Sequence, residues 1–168
     1  MNFEPLKKKW IAIYTKPKHE KSVEKELQNK GVEVFLPMLR ERRKWSDRKK
    51  WVSFPLFRSY IFVKIEIKNS LFVLQTKGVV KIVKFHGKIA VVPSESIHSI
   101  RLMIDGGYNP KPTDYFIKGD PVKIKDGPLI GLRGEVTRID NKDCLIIRID
   151  AIQHSISIKI NRAFLSKL

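Results

Sequence analysis

Residues 55–67 read Pro-Leu-Phe-Arg-Ser-Tyr-Ile-Phe-Val-Lys-Ile-Glu-Ile. From Tyr60 the stretch alternates, with Ile61, Val63, Ile65 and Ile67 on one side and Tyr60, Phe62, Lys64 and Glu66 on the other. Period-two alternation rich in β-branched and aromatic residues predicts a strand with one buried aliphatic face. The opposite face opens with two aromatics, and Phe57 lies just upstream. Such a cluster is either core or a surface presented to a partner, and alternation does not decide between them.

Working outward, Trp10 to Tyr14 (Trp-Ile-Ala-Ile-Tyr) is a short β-prone run expected to be a buried first strand. Thr15 and Pro17 mark a helix start, residues 19–30 carry good helix formers with Val23 and Leu27 on one face, and Gly31 is a natural stop. The outward face of that helix has Lys18, His19, Lys21 and Lys25, moderated by Glu20, Glu24 and Glu26. Residues 32–36 form a second strand ended by Pro37. A short helix is expected after Asn69 or Ser70, with Leu71 and Leu74 inward and Gly78 at its end. Residues 79–85 and 89–92 read as strands joined at His86-Gly87, and Pro93-Ser94 opens a helix over 95–104 with Ile97, Ile100 and Ile104 on one face. The expected class is α+β, helices packed on an antiparallel sheet.

Charge is the most informative bulk property. The 168 residues carry 34 Lys and Arg against 17 Asp and Glu, a formal +17. A chain this basic is built to meet polyanions, nucleic acid first among them. The excess is concentrated early, with 16 basic and 7 acidic residues in 1–60. Residues 40–50 alone hold 7 basic and 2 acidic residues around Trp45, with a turn at Ser46-Asp47. Basic residues interleaved with an aromatic suit phosphate pairing and base stacking, although a solvated hairpin has the same composition.

Residues 105–115 hold two glycines and two prolines without apolar periodicity and read as a linker. Beyond them alternation resumes in four or five short segments, the pattern of a small closed β-barrel. The expected division is therefore a domain over 1–105, a linker over 106–115 and a second domain over 116–168, with residues 1–9 as a frayed leader. Cys144, the single cysteine, excludes a disulfide framework and sits in an apolar run. Residues 127–134 lack the Lys-Ser/Thr ending of a phosphate-binding loop. The four histidines have no ligand spacing, and no nucleophile–base set or carboxylate pair stands out. No enzyme, metal or cofactor is expected, and no apolar run reaches membrane-spanning length, so a cytoplasmic protein is the expectation.

Residues 8–14, the helix after them, and residues 55–63 resemble the N-terminal domain of the NusG family of transcription elongation factors. Gly119-Asp-Pro-Val-Lys-Ile-Lys-Asp-Gly-Pro-Leu-Ile-Gly-Leu-Arg-Gly-Glu-Val136 looks like that family's KOW motif. The segments Pro55-Leu-Phe57, Tyr60-Ile-Phe-Val63, Thr76-Lys-Gly-Val79, Val83-Lys-Phe85 and Ala90-Val-Val-Pro93 resemble the specialised branch that includes RfaH and the UpxY proteins, as does Trp45-Ser-Asp-Arg-Lys-Lys-Trp51.

The resemblance implies an N-terminal NusG-type sandwich, a linker and a KOW barrel of SH3-like form. It implies an antiterminator that binds the clamp helices of RNA polymerase and suppresses pausing or termination in specific long operons. The positions matching the polymerase-binding depression are Tyr14, Phe57 and Tyr60, with Phe62 and Phe85 as neighbours. Those matching the face that reads the non-template DNA strand are Lys16, Lys18, His19, Thr76 and Lys77, with Arg42, Arg43, Lys44 and Lys49 extending it. A ribosomal protein or termination factor is the implied partner of the KOW domain, and a monomer is expected. The residues around Leu71 to Gln75 lack the polar stretch of RfaH, and Ile156, Ile158 and Ile160 favour a barrel over a helical hairpin. Two other readings stay open: an RNA-binding, ribosome-associated KOW protein, and a housekeeping NusG.

Overall fold

The computed structural model describes residues 7–115 and 118–168. Most of the expected leader, and Phe116 at the head of the expected second domain, lie outside the described residues. The chain divides into two compact units between Ser94 and Glu95.

The first unit runs β1 (Lys9–Thr15), α1 (Glu20–Asn29), β2 (Glu33–Phe35), β3 (Met38–Lys44), β4 (Lys49–Pro55), β5 (Tyr60–Ile65), α2 (Ser70–Leu74), β6 (Val79–Ile82), β7 (Lys84–Phe85), β8 (Lys88–Ile89) and β9 (Val91–Val92). Its main sheet has the order β2-β5-β1-β6, with β9 also on β1, and every pairing is antiparallel. The alternating stretch is thus a central strand. Ile61, Val63 and Ile65 join Ile11 and Ile13 on one face, where Val23 and Leu27 of α1 and Val73 of α2 complete the core. Ile67 departs from the expected strand face because the chain leaves the sheet into a 3₁₀ turn, Ile67–Asn69. The other face is not simply solvated: Trp10, Ala12 and Phe62 are buried there as well. Alternation distinguishes two faces, but only packing decides whether both are dry.

Three local details differ from expectation. In α2 the residue turned into the core is Val73, while Leu71 and Leu74 point outward. The helix is one turn long and enters from a 3₁₀ turn, which rotates its phase relative to a regular 3.6-residue reading. Glu20, grouped above with surface acids, is buried. The run 79–85 is broken into β6 and the small β7–β8 hairpin, whose turn is His86-Gly87, both at positive φ.

β3 and β4 pair only with each other, as a separate two-stranded ribbon in register from Met38↔Pro55 to Lys44↔Lys49. Gly78, at φ +96°, returns the chain from α2 toward β6, and a Cβ there would stand 2.8 Å from Val23 Cγ2. Only glycine fits this approach without displacing α1.

The second unit holds α3 (Ser94–Asp105), β10 (Lys111–Thr113), β11 (Asp120–Ile124), β12 (Arg133–Ile139), β13 (Lys142–Ile149), β14 (His154–Lys159) and β15 (Leu165–Lys167). The strands form one antiparallel sheet in the order β10-β14-β13-β12-β11-β15. Among the described residues no pairing joins the end strands β10 and β15. The stretch expected to be linker contributes β10, and Pro112 is tolerated there because β10 is an edge strand. Ile156 and Ile158 of β14 and Leu145 and Ile147 of β13 are buried, and so are Cys144 and Ile146 on the other face of β13, so that this strand is dry on both sides. At the motif, Gly134 lies so close to β13 that a Cβ would sit 2.6 Å from the Ile146 carbonyl oxygen. Across the sheet Glu135 and Arg148 form a two-pronged pair, Nη2–Oε2 2.8 Å and Nε–Oε1 3.0 Å, and Glu135 Oε2 also accepts from Gly119 N at 2.9 Å. Among the described residues no helix is long and apolar enough to cross a membrane.

Candidate functional site

The aromatics named from sequence separate into two sets. Phe57 and Phe62 are fully buried and meet edge to face at 5.9 Å, and Phe35 stacks on Phe62 at 6.2 Å. The Phe57 and Phe62 rings fill the interior and have no surface left for a partner, while Phe35 is half-buried. Tyr14 and Tyr60 are cross-strand partners of β1 and β5 and stay half-buried, with ring centroids 5.2 Å apart at 72°. Lys81 Nζ lies 5.6 Å above the Tyr14 ring. Burial, and secondly the neighbouring Tyr14, push the Tyr60 phenol above its ordinary range, so it stays a neutral donor.

Tyr60 lines a groove of about 840 Å³ whose apolar wall includes Leu71, Leu74 and Val80. Leu71 is 62% exposed and Val80 49%. Large aliphatics this open, grouped beside an aromatic pair, form a patch of the kind that marks a partner surface. Phe85 is also exposed, on the β7–β8 hairpin against His86, and Lys84 and Gly87 of the same hairpin line the groove. Of the aromatics named from sequence, Tyr60 lines this groove; Leu71, Leu74 and Val80, which line it too, were not named as site residues. A signal was present: two leucines flanking Val73 cannot all face inward from a one-turn helix.

The basic candidates also fall into groups. Lys16, Lys18 and His19 lie exposed on the loop from β1 to α1, with Lys18 at φ 64° and His19 Nδ1 3.0 Å from the Pro17 carbonyl. Lys16 N donates to Gly78 O at 2.8 Å, which brings this loop beside exposed Lys77. Thr76 is different. It is buried, and its Oγ1 accepts from Lys30 Nζ at 2.9 Å, so it braces the turn and presents little to solvent. Arg42, Arg43, Lys44 and Lys49 are all exposed on the ribbon, away from the aromatic pair in chain order but within the same unit.

One buried contact organises this region and was not legible in the sequence. Glu20 Oε1 accepts from Ser59 N at 2.9 Å, and Ser59 O accepts from Thr15 N at 2.8 Å. Ser59 sits at φ 63°, a conformation that a non-glycine residue adopts only where its surroundings hold it. The carboxylate therefore fixes the turn that delivers Tyr60 to the head of β5. Among the described residues no group of three His, Cys, Asp or Glu side chains is placed to hold a metal ion.

A family model described as "Transcription termination factor nusG" matches residues 8–101. Among solved structures, the chain is similar to NusG of Thermotoga maritima, with a TM-score of 0.54 at 22% identity, covering 96% of this chain and 98% of that one. A chain of the MjSpt4:Spt5 complex aligns over 95% of this chain and 96% of its own length at 19% identity, with a TM-score of 0.29.

Proposed function

The chain belongs to the NusG family, since the family model spans more than half of it, and on that premise we propose that it is a non-enzymatic transcription elongation factor of the antiterminator type. It binds RNA polymerase through the groove that Tyr60 lines, with Tyr14 packed against Tyr60 beside it, and its target is the clamp helices. The observation that carries this reading is the unfilled apolar groove beside the tyrosine pair, with Leu71 and Val80 left open to solvent. Aromatic and aliphatic side chains of this kind supply the centre of protein interfaces, and an amphipathic helix laid in a groove is a recurrent way to use them.

The exposed side chains Lys16, Lys18, His19 and Lys77 face the non-template DNA strand, with the ribbon residues Arg42, Lys44 and Lys49 as an extension of the same nucleic-acid surface, whereas Arg43 is engaged by Glu41 on the other face of the ribbon. Phe57 and Phe62 act from within, holding the strand that presents Tyr60, and Thr76 acts by positioning Lys77. The mechanism is differential binding: a factor that prefers the closed-clamp polymerase shifts its population toward the productive state. The second unit is a KOW module of SH3-like barrel form that recruits a ribosomal protein or termination factor, and the factor serves long operons of the polysaccharide type.

Replacing Tyr60 by Ala together with Leu71 by Ala is expected to weaken capture of purified polymerase by at least about tenfold, since interface anchors typically cost 2 kcal/mol or more. Circular dichroism should show the fold retained. Unchanged capture, or co-purification with ribosomal subunits in place of polymerase, would reject the reading.

A further inference from the structure

The geometry points to one face of the β3–β4 ribbon as a binding track for a single strand of nucleic acid. This deepens the nucleic-acid side of the function proposed above and is independent of the polymerase groove. Cross-strand partners in an antiparallel ribbon share a face. The register therefore puts Arg40, Arg42 and Lys44 with Ser53, Trp51 and Lys49 on one face. Leu39, Glu41 and Arg43 with Phe54, Val52 and Lys50 lie on the other.

The two faces differ in kind. The second carries its own counter-charge, with Arg43 Nε 3.3 Å from Glu41 Oε2 and the Arg43 guanidinium 5.5 Å from the Phe54 ring. The first carries four cations and no carboxylate. In its middle stands Trp51, 59% exposed, flanked by the Arg40 guanidinium at 5.8 Å. Toward its base the face runs into a cleft of about 650 Å³ where Met38, Ser53 and Pro55 meet Lys18, Lys21 and Arg58. The positive surface thus continues from the ribbon onto the body of the unit, where only the buried Glu20 lines the cleft with opposite sign, and its carboxylate is already held by Ser59 N.

From Lys44 to Met38 the strand covers about 20 Å at roughly 3.3 Å per residue, enough for several nucleotides of extended chain. A flat indole open to solvent among cations offers a stacking platform together with phosphate partners, the combination that holds single strands without sequence preference. In a duplex the base faces are already stacked on one another, so Trp51 would have nothing to receive.

The test is fluorescence anisotropy of the full chain with labelled oligo-U and oligo-dT of about 15 nucleotides, within the size range of such sites, and with a duplex of the same length. Trp51→Ala is expected to weaken single-strand binding about tenfold, and Trp51→Phe to restore most of it. Arg42→Ala is expected to weaken it several-fold and lower the salt slope by about one. Arg43→Ala, whose guanidinium is already paired, should change it by less than about twofold. Preference for either the RNA or the DNA strand supports the proposal and names the source. No single-strand binding, duplex binding as tight as single-strand binding, a silent Trp51→Ala, or equal losses in the Arg42 and Arg43 variants would overturn it. Polymerase capture should survive all four ribbon variants, and oligonucleotide binding should survive the Tyr60/Leu71 pair, so the two readings fail separately.

Discussion

The smallest scale on which this protein can be tested is a single carboxylate. Glu20 is buried, and its oxygen accepts the Ser59 N–H that the left-handed turn aims at it. Removing it by Glu20→Ala strands a buried donor, which costs about 1–3 kcal/mol. Denaturant unfolding should show that loss, and Glu20→Gln, which keeps an acceptor in place, should recover most of it. Equal stability of the Ala variant would mean that the turn holds itself. Sequence gave no hint of this residue, because a glutamate among helix-face charges looks the same whether its neighbour is water or an amide. Phe57 and Phe62 teach the same lesson in reverse. Their types suit a partner surface, yet both are enclosed, and nothing in their spacing could have told them from Tyr60.

At the scale of elements, what was legible was periodicity. The central strand and the strands of the second unit beyond β10 follow from alternation, α1 from its apolar spacing and the Gly31 stop, and the tip of the basic ribbon from its turn residues. Phase was less secure: α2 is one turn long, so Leu71 and Leu74 came out exposed and Val73 buried. Short elements take their orientation from what they pack against and carry too few residues to declare a face. In the second unit, β12 and β13 are tied by Glu135 and Arg148. The hydrogen bond from Arg148 is the chief cause holding the Glu135 carboxyl below its ordinary value; burial opposes it, and the Gly119 N–H assists. A carboxylate with a depressed folded value stabilises fully above its unfolded value near about 4.3. That contribution is lost as pH falls through the lower folded value. Thermal unfolding followed from neutral to acid pH should show this loss, and Glu135→Gln should flatten the acid limb. An unaltered acid limb in that variant would place the sensitivity elsewhere.

For the whole molecule, the account is modular. The family match ends at residue 101, within α3, while the sheet of the second unit starts at Lys111. A fragment of residues 1–107, which keeps α3, is therefore expected to capture polymerase about as well as the full chain, and loss of capture would argue that the strands of the second unit take part in the contact. The break in apolar periodicity at 105–115 lies after α3, whereas the chain divides between Ser94 and Glu95, and the strand inside that break was not visible because Lys-Pro-Thr carries no alternation and pairs only at an edge. The central claim is that the groove beside Tyr14 and Tyr60 receives RNA polymerase. Its most direct measurement is a photoactivatable residue placed at Leu71 and irradiated in the presence of elongating polymerase. The account predicts a crosslink to the clamp helices that disappears in the Tyr60→Ala background. A crosslink to a ribosomal protein instead, or none to polymerase while Leu71 stays exposed, would contradict it.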